Sequence, residues 1–377
     1  MMAKRLVNSL FFTAVMVGVL GLSGCASFIA LLSGNTVSVE DLEITSFEAE
    51  LVPEDGFCPT GRGGLIVKAH IVDGEVEYTQ GAGEGRMRWE DFEVQSVGPV
   101  TMYEEGWVEF GENPHAVLAA EEISFYIVSR HHELAPMRVD VPPRFDCTYR
   151  ANLSGEAGRH GADGQSGRNG ARGTSNQSSG SYAQPGGHGE NGGHGGNGAD
   201  GEAGRSGNDV EVFVSLVEGS DPVLLEVRVE SQTSHHNFFH IVDPSGGGLE
   251  VIARGGNGGN GGNGGGGGSG GGGGTGDPAG NGGDGGSGGD GGNGADGGDG
   301  GTVTFYLSAE AEPYMGIFSA DTSGGVGGSA GSAGFGGSYG TTYSGGTQGR
   351  RGERGRDGTR NGRHGRDGPP PKFVIGD

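Results

Sequence analysis

Thiol groups carry the most specific chemistry in this sequence of 377 residues, and the first of its three cysteines is Cys25. It closes an amino-terminal segment with the parts of an export signal. Lys4 and Arg5 supply positive charge, and the run 6–21 is mostly apolar. A thiol at the end of such a segment can accept a lipid. The alternative is an uncleaved membrane anchor, for which the apolar run is short.

The sequence Leu-Ser-Gly-Cys at 22–25 resembles the lipobox of bacterial lipoproteins. This resemblance implies that residues 1–24 are a signal peptide and that diacylglycerol is attached to the Cys25 thiol. Residues 25–35 would then tether the chain to a membrane. The second mature residue is not aspartate, which by similarity to enterobacterial sorting implies the outer membrane. We therefore expect a lipid-anchored protein of the cell envelope.

The remaining thiols, Cys58 and Cys147, form an even pair. An exported protein meets oxidising conditions, so such a pair indicates a disulfide. The alternative is a pair of free, buried thiols.

Arginine is concentrated near the carboxyl terminus, in the run 349–368. The candidate anion contacts there are Arg350, Arg351, Arg354, Arg356, Arg360, Arg363 and Arg366. Guanidinium groups suit phosphate and carboxylate, so the run predicts an anionic polymer or a protein as partner. The arginines could instead pair with the acidic domain that precedes them. The net charge of −24 argues against nucleic acid or an anionic bilayer as a partner for the whole surface.

Residues 36–150 have the pattern of an ordinary globular domain. Short alternating segments, such as Trp107–Phe110 and Ile123–Val128, are separated by turn signals at Asp73-Gly74 and Pro142-Pro143. Little of the pattern has helical period. We predict a mainly β protein whose amino-terminal domain is β-sandwich-like.

Residues 151–377 are rich in glycine, which supplies 89 of the 377 residues of the chain. Between 255 and 301 the other residues recur at intervals of three, as at Asn257 and Asn260, and only Asp277, Ala279 and Ala295 depart from this phase. The same phase defines six glycine tracts in three pairs: tract 1 (155–173) with tract 2 (186–207), tract 3 (255–274) with tract 4 (280–301), and tract 5 (325–340) with tract 6 (349–368). A flexible linker has no reason to keep such a phase, although a disordered segment remains the alternative.

A period of three is typical of the polyproline-II conformation, which has three residues per turn. We therefore predict six long polyproline- or polyglycine-II arms in three hairpins, with the glycine-richest tracts 3 and 4 at the centre. Collagen is disfavoured because its triplets are rich in proline. Segments such as 209–216 and 302–307 alternate like strands and predict a small β-sheet or barrel that carries the arms. The hairpin tips, with Tyr182 and Tyr343, are loops of the kind that often bind ligands.

Two segments resemble the glycine-rich domain of Obg-type GTPases, a β-barrel with six polyproline-II-like arms. They are Leu249–Gly256 (LEVIARGG) and Gly297–Phe305 (GGDGGTVTF); Gly362–Gly368 followed by Phe373–Ile375 is similar in order to the last arm and returning strand of that domain. The resemblance covers residues 155–377. No Gly-Lys-Ser/Thr phosphate loop occurs, so the resemblance implies a fold and no GTPase domain.

Residues that could ligate metals are few and poorly spaced. His235, His236 and His240 could bind zinc in principle, and the aspartates of tract 4, including Asp284 and Asp290, could bind calcium between adjacent arms. No nucleophile, base and orienting group are assembled, so we expect no enzyme and no cofactor.

Together these features predict an envelope lipoprotein with a structural, adhesive or spacer role. The alternative is a ligand-binding, receptor-like lipoprotein, and less favoured are ice-binding and calcium-binding surface proteins. Arginines such as Arg159 and Arg168 on the outer tracts argue against an ice-binding face.

Overall fold

The computed structural model describes residues 36–176, 184–233 and 237–376. The predicted lipidation site Cys25, its tether, Tyr182, His235 and His236 lie outside these ranges. The described chain is mainly β, as predicted, with several sheets. It divides into two compact units, with the division between Cys147 and Thr148.

The first unit contains two antiparallel sheets. In chain order its elements are β1 (Ile44–Val52), β2 (Arg62–Ile71), β3 (Val76–Tyr78), β4 (Phe92–Val97), β5 (Val100–Met102), β6 (Trp107–Phe110), α1 (Pro114–Ala119), β7 (Ser124–Ser129) and β8 (Met137–Asp140). Short 3-10 helices span Val39–Asp41, Gly81–Gly83, Trp89–Asp91 and Glu104–Gly106. The first sheet has the order β1-β2-β6-β5, with β3 paired to β2, and the second has the order β4-β7-β8.

One hydrophobic cluster draws on both sheets of this unit. Leu65 and Val67 of β2 are fully buried in it, as are Phe125 and Ile127 of β7. Their spacing of two follows from the alternation of side chains along a strand. Burying side chains of this size stabilises a fold by about 1.5–3 kcal/mol each, which explains why these strands hold their register.

A disulfide joins Cys58 to Cys147, with 6.2 Å between their Cα atoms, and confirms the predicted bond. The two residues are 89 positions apart, so the bond closes a loop that contains β2 to β8 and leaves only β1 of this unit outside. In the chain-entropy model a loop of this length removes about 4–5 kcal/mol of unfolded-state freedom.

The second unit combines two sheets with the six glycine tracts. Its strands are β9 (Thr148–Asn152), β10 (Val210–Leu216), β11 (Leu225–Ser231), β12 (Asn237–Val242), β13 (Gly248–Ile252), β14 (Val303–Leu307), β15 (Phe318–Asp321) and β16 (Lys372–Ile375), with a 3-10 helix at Ala309–Ile317. The sheet orders are β12-β11-β10-β14-β16 and β15-β13-β9. Both sheets are open in the described chain. The predicted β-sheet structure is therefore confirmed, and the alternative of a closed barrel is wrong.

The strands of the two sheets alternate with the tracts along the chain. β9, β13 and β15 are parallel neighbours, and each of them leads into an odd-numbered tract. β10, β14 and β16 are also parallel neighbours, and each of them follows an even-numbered tract. A tract pair therefore connects a strand of one sheet to a strand of the other, as parallel pairing requires of its long crossovers.

Main-chain hydrogen bonds join the tracts in a regular order. Between any two bonded tracts the N–H donors recur at every third residue. Where these tracts exist, a tract donates to the tract before it and to the tract two places after it. Gly193 N–H of tract 2, for example, donates to Arg168 O of tract 1 at 2.7 Å, and Gly161 N–H of tract 1 donates to Asn260 O of tract 3 at 2.7 Å. The odd tracts 1, 3 and 5 form one layer, called the odd layer, and tracts 2, 4 and 6 form the even layer. Tracts 3 and 4 bond to four other tracts each.

The register of the sheets continues into the layers. Gly248 of β13 pairs with Thr148 of β9, and the same offset of 100 residues relates Asn260 to His160 between tracts 3 and 1. In the even layer an offset of 93 holds between β14 and β10 and again between Asn281 and His188. Strand pairing therefore sets the alignment of tracts that are far apart in sequence.

Candidate functional site

The interior of the tract layers is lined almost entirely by glycine, with the small side chains of Ala295 and Ala333 also buried there. A Cβ at Gly288 of tract 4 would lie 2.0 Å from Gly334 O, and one at Gly264 of tract 3 would lie 2.0 Å from Gly289 O. Real Cβ atoms do not approach carbonyl oxygens this closely. Side chains larger than alanine consequently lie on the two outer faces and the two edges of the layers, where any function of the tracts must be found.

The outer face of the odd layer is crossed by a ladder of side-chain hydrogen bonds, in which a side chain of one tract accepts a main-chain N–H of the next. Asp163 Oδ1 of tract 1 accepts from Asn263 N–H of tract 3 at 2.6 Å. Asn263 Oδ1 in turn accepts from Ser332 N–H of tract 5 at 2.9 Å. Asparagine, aspartate and serine in this phase satisfy backbone donors that the glycine carbonyls leave free.

The even layer has the same ladder, with carboxylates at its centre. The Oδ1 atoms of tract 4 aspartates accept main-chain N–H groups of tract 6 arginines: Asp284 from Arg350 at 2.7 Å, Asp290 from Arg356 at 2.7 Å, Asp296 from Arg363 at 2.8 Å and Asp299 from Arg366 at 2.8 Å. The main-chain N–H of each of these arginines therefore lies beside a carboxylate. Arg360 also approaches Asp296, with 3.7 Å between Nη2 and Oδ1.

The seven candidate arginines lie on two different sides of tract 6. Five belong to the acidic even face just described, whereas Arg354 lies on the tract 5 side of tract 6. There its Nη2 donates to Asp357 Oδ1 at 2.8 Å, and Asp357 accepts Ala333 N–H of tract 5. Arg351 shares the phase of Arg354, three residues earlier. Arg350, Arg356, Arg363 and Arg366 contact the tract 4 aspartates through their main-chain N–H groups, and Arg360 approaches one of them with its guanidinium.

The calcium candidates of tract 4 take part in the same ladder. Asp284 and Asp290 each use Oδ1 to accept a main-chain N–H, which gives these carboxylates a structural role. Within the described ranges no group of three or more His, Cys, Asp or Glu side chains is placed to hold a metal ion.

Of the three histidines considered for zinc, His240 alone is described. It lies buried on β12, and its ring stacks on Tyr149 of β9 with 4.2 Å between the centroids. Burial lowers the pKa of His240 to about 4, so the ring is neutral at neutral pH. Among the described residues neither ring nitrogen has a hydrogen-bond partner.

A buried carboxylate organises the start of the first unit. Asp91 Oδ2 accepts Val39 N–H at 2.9 Å, and Oδ1 lies 3.2 Å from His131 Nε2. Burial by itself raises the pKa of Asp91, but the bonds from Val39 and Ser38 and the charge of Arg88 bring it below its ordinary value. This network ties an amino-terminal 3-10 helix to the core and uses His131 for structure.

Exposed aromatic side chains mark the tract 5 side of the odd layer. The side chain of Phe335 is 70% exposed, and those of Tyr339 and Tyr343 are 43% and 50% exposed. Tyr343 is one of the tip residues expected from the sequence, whereas Phe335 is not. The signal that could have found it is its phase, because Phe335 follows Gly334 and so shares an outward position with Ser332 and Ser338.

No protein-family model, curated protein or solved structure matches the chain. In the part of the chain that the structure describes, no helix is long and apolar enough to cross a membrane.

Proposed function

We propose that this chain is a lipid-anchored, non-enzymatic protein of the bacterial cell envelope. In this proposal the six glycine tracts form polyglycine-II arms in three hairpins, and the bundle is a rigid scaffold with an adhesive or spacer role. The observation that carries the proposal is the tract-to-tract hydrogen bonding, which repeats at every third residue. A spacer needs stiffness, and bonding of each tract to several others supplies it.

Two further observations support the polyglycine-II conformation of the arms. The phase of three matches the three residues per turn of that helix. Packing at Gly288 and Gly264 leaves no volume for a Cβ, as close approach of such helices requires. The similarity of 155–377 to the Obg-type glycine-rich domain extends to the order of arms and strands. At the polyglycine-II rise, twenty residues span roughly 60 Å.

The anchor in this proposal is Cys25, through the lipobox-like sequence at 22–25. The expected location is the outer membrane, with the mature chain outside the cytoplasm. The disulfide between Cys58 and Cys147 supports an oxidising compartment, because such bonds are rare in the cytosol.

The second candidate function is a receptor-like lipoprotein that binds a small ligand in the first unit. A cavity of about 480 Å³ lies between α1 and β8, lined among others by Val117, Ile123, Val141 and Phe145. Its volume is in the range of small-molecule sites. It is open to solvent and no buried charged group is directed into it, so we favour the scaffold role.

The anchor is tested with Cys25→Ser in whole cells. We expect the wild type to take up a fatty-acid label and to fractionate with membranes, and the variant to stay unlabelled as an uncleaved precursor. Protease treatment of intact cells then reports whether the mature chain is exposed outside. Labelling that persists in Cys25→Ser would contradict the lipid anchor.

A further inference from the structure

Two glycines on the outer face of the odd layer are not required by packing. A Cβ at Gly266 would meet nothing closer than Phe335 O at 3.8 Å, and one at Gly272 nothing closer than Thr341 O at 3.5 Å. Every other glycine of the six tracts has an atom within 3.2 Å of its Cβ position. Both residues occupy the outward phase of tract 3, where Asn260, Asn263 and Ser269 carry side chains.

Glycine at these two positions costs backbone freedom without being needed for the fold. Its effect is to leave two gaps along the middle of the odd face. A glycine in regular structure often marks close approach of a ligand or another backbone. The outward positions of tract 4 on the even face, from Asn281 to Asp299, contain no such gap.

Hydrogen bonds place specific residues on both sides of each gap. Gly167 N–H donates to Gly266 O and Gly267 N–H to Phe335 O, both at 2.8 Å, so Ser166 and Phe335 flank the first gap. Gly173 N–H donates to Gly272 O at 2.9 Å and Gly273 N–H to Thr341 O at 2.8 Å. Arg172 and Thr341 therefore flank the second gap. We call Ser166, Arg172, Gly266, Gly272, Phe335 and Tyr343 the odd-face trough.

Each exposed ring of the trough has a guanidinium against it. Arg354 lies over Phe335, with 5.4 Å from Cζ to the ring centroid, and Arg172 lies over Tyr343 at 5.6 Å. Arg172 Nη2 also donates to Tyr343 Oη at 2.7 Å. Contacts of this kind hold the rings in place, so the rings form fixed platforms.

The charge around the trough differs from that of the whole chain. The segments 164–176, 254–276 and 322–352 contain no aspartate or glutamate, although the net charge of the chain is −24. The charged side chains that these segments contribute are arginines. Arg354 beside Phe335 donates to Asp357, whereas Arg172 donates to the hydroxyl of Tyr343 and gives this part of the odd face a guanidinium for an anionic partner. The even face, by contrast, carries the carboxylates of tract 4.

We propose that the odd-face trough binds a linear polysaccharide that bears carboxylates. The faces of pyranose rings are apolar and pack against exposed aromatic rings such as Phe335 and Tyr343. Arg172 pairs with carboxylates, and hydroxyl side chains such as Ser166 bond to sugar hydroxyls. A repeating ligand matches rows of side chains that recur about every 9 Å along the tracts. This inference rests on the proposed scaffold role and gives its adhesive face a partner.

The probe for the test is polygalacturonate, with methyl-esterified polygalacturonate as the uncharged control. Binding to the purified full chain is measured by titration calorimetry at low and high salt. Two variants alter the trough: Gly266→Gln fills the first gap, and Phe335→Ala removes its platform. The matched controls are Ser287→Gln, an outward position of tract 4 on the even face, and Val326→Ala, an exposed position of tract 5 outside the trough.

We expect wild type and both controls to bind polygalacturonate with the same affinity within twofold, and more weakly at high salt. Each trough variant should lose at least tenfold in affinity at an unchanged melting temperature. Absence of wild-type binding, equal affinity for the esterified polymer, or binding that survives both trough variants would overturn the inference. Concentration-dependent dimerisation that is lost in Gly266→Gln would also overturn it, because a second copy would then occupy the trough. None of these outcomes affects the lipid anchor or the bundle, which have their own tests.

Discussion

The sharpest test of the glycine bundle is the substitution Gly288→Val in tract 4. A Cβ there would lie 2.0 Å from Gly334 O and 2.4 Å from Gly334 C, both main-chain atoms of tract 5 that cannot rotate away. Tracts 4 and 5 must therefore separate by more than 1 Å. Overpacking of this kind costs about 1–3 kcal/mol or more.

Separation also weakens hydrogen bonds on both sides of the substituted residue. Gly288 N–H donates to Glu353 O at 2.8 Å, and Gly334 N–H donates to Gly289 O at 2.9 Å. Each bond contributes about 1 kcal/mol, so the combined loss is about 3–5 kcal/mol. For a unit of this size, 1 kcal/mol shifts the melting temperature by about 2–4 °C, which predicts a fall of roughly 6–20 °C.

The assay is thermal unfolding of the mature chain followed by circular dichroism and calorimetry. Two valine substitutions serve as controls: Gln165→Val at an exposed position of tract 1, and Gly266→Val at the open position of tract 3. Both should stay within about 0.5 kcal/mol of wild type, apart from the small propensity change at the glycine. Equal melting temperatures for Gly288→Val and the two controls would refute the bundle and favour a flexible linker.

Three further predictions concern other parts of the chain. Replacing Cys58 and Cys147 together by serine should lower the free energy of unfolding of the first unit by about 4–5 kcal/mol. Both tryptophans lie in that unit, so their fluorescence during urea unfolding reports the loss, and an unchanged unfolding midpoint would contradict it. Burial lowers the pKa of His240 to about 4. The contribution of the neutral ring to the free energy of unfolding is therefore present above pH 6.5 and is lost as the pH falls towards 4. That contribution is about 3 kcal/mol, and His240→Phe should flatten this part of the pH–stability curve of the second unit; a curve as steep as that of wild type would exclude His240 as the cause. Asn263→Ala removes the acceptor of Ser332 N–H and should cost about 1 kcal/mol, measured by the melting temperature against Val326→Ala, with no loss refuting the ladder.

Much of the first unit could be predicted from local pattern. β6 spans Trp107–Phe110 as the alternation predicted, because its buried and exposed residues repeat with a period of two. The segment 65–78 alternates like one long strand but belongs to two strands, β2 and β3, because the chain turns at Gly74 with a positive φ. The helix α1 was missed because it has six residues, too few for a periodic signal. Only its Asn113 cap and Pro114 indicate it.

In the second unit the phase of three defined the six tracts, but it did not predict which tracts of different pairs are neighbours. Tract 1 bonds to tract 3, about 100 residues away, and no local pattern encodes such a pairing. The run of arginines in the sequence does not reveal that Arg350 and Arg356 belong to one column of tract 6 and Arg354 to another. Gly266 and Gly272 could not be recognised as exceptions, because in the sequence they are two glycines among many.

The continuous register from sheets into layers has a mechanical consequence. A pull directed along the tracts acts at right angles to the hydrogen bonds between them. The load is then shared as shear across all the hydrogen bonds of a tract, so the bonds cannot be broken one after another. Forced extension depends on the rate at which such an array fails rather than on its equilibrium stability. Because β9, β13 and β15 lead directly into tracts 1, 3 and 5, tension at the tips passes into paired strands without an intervening loop.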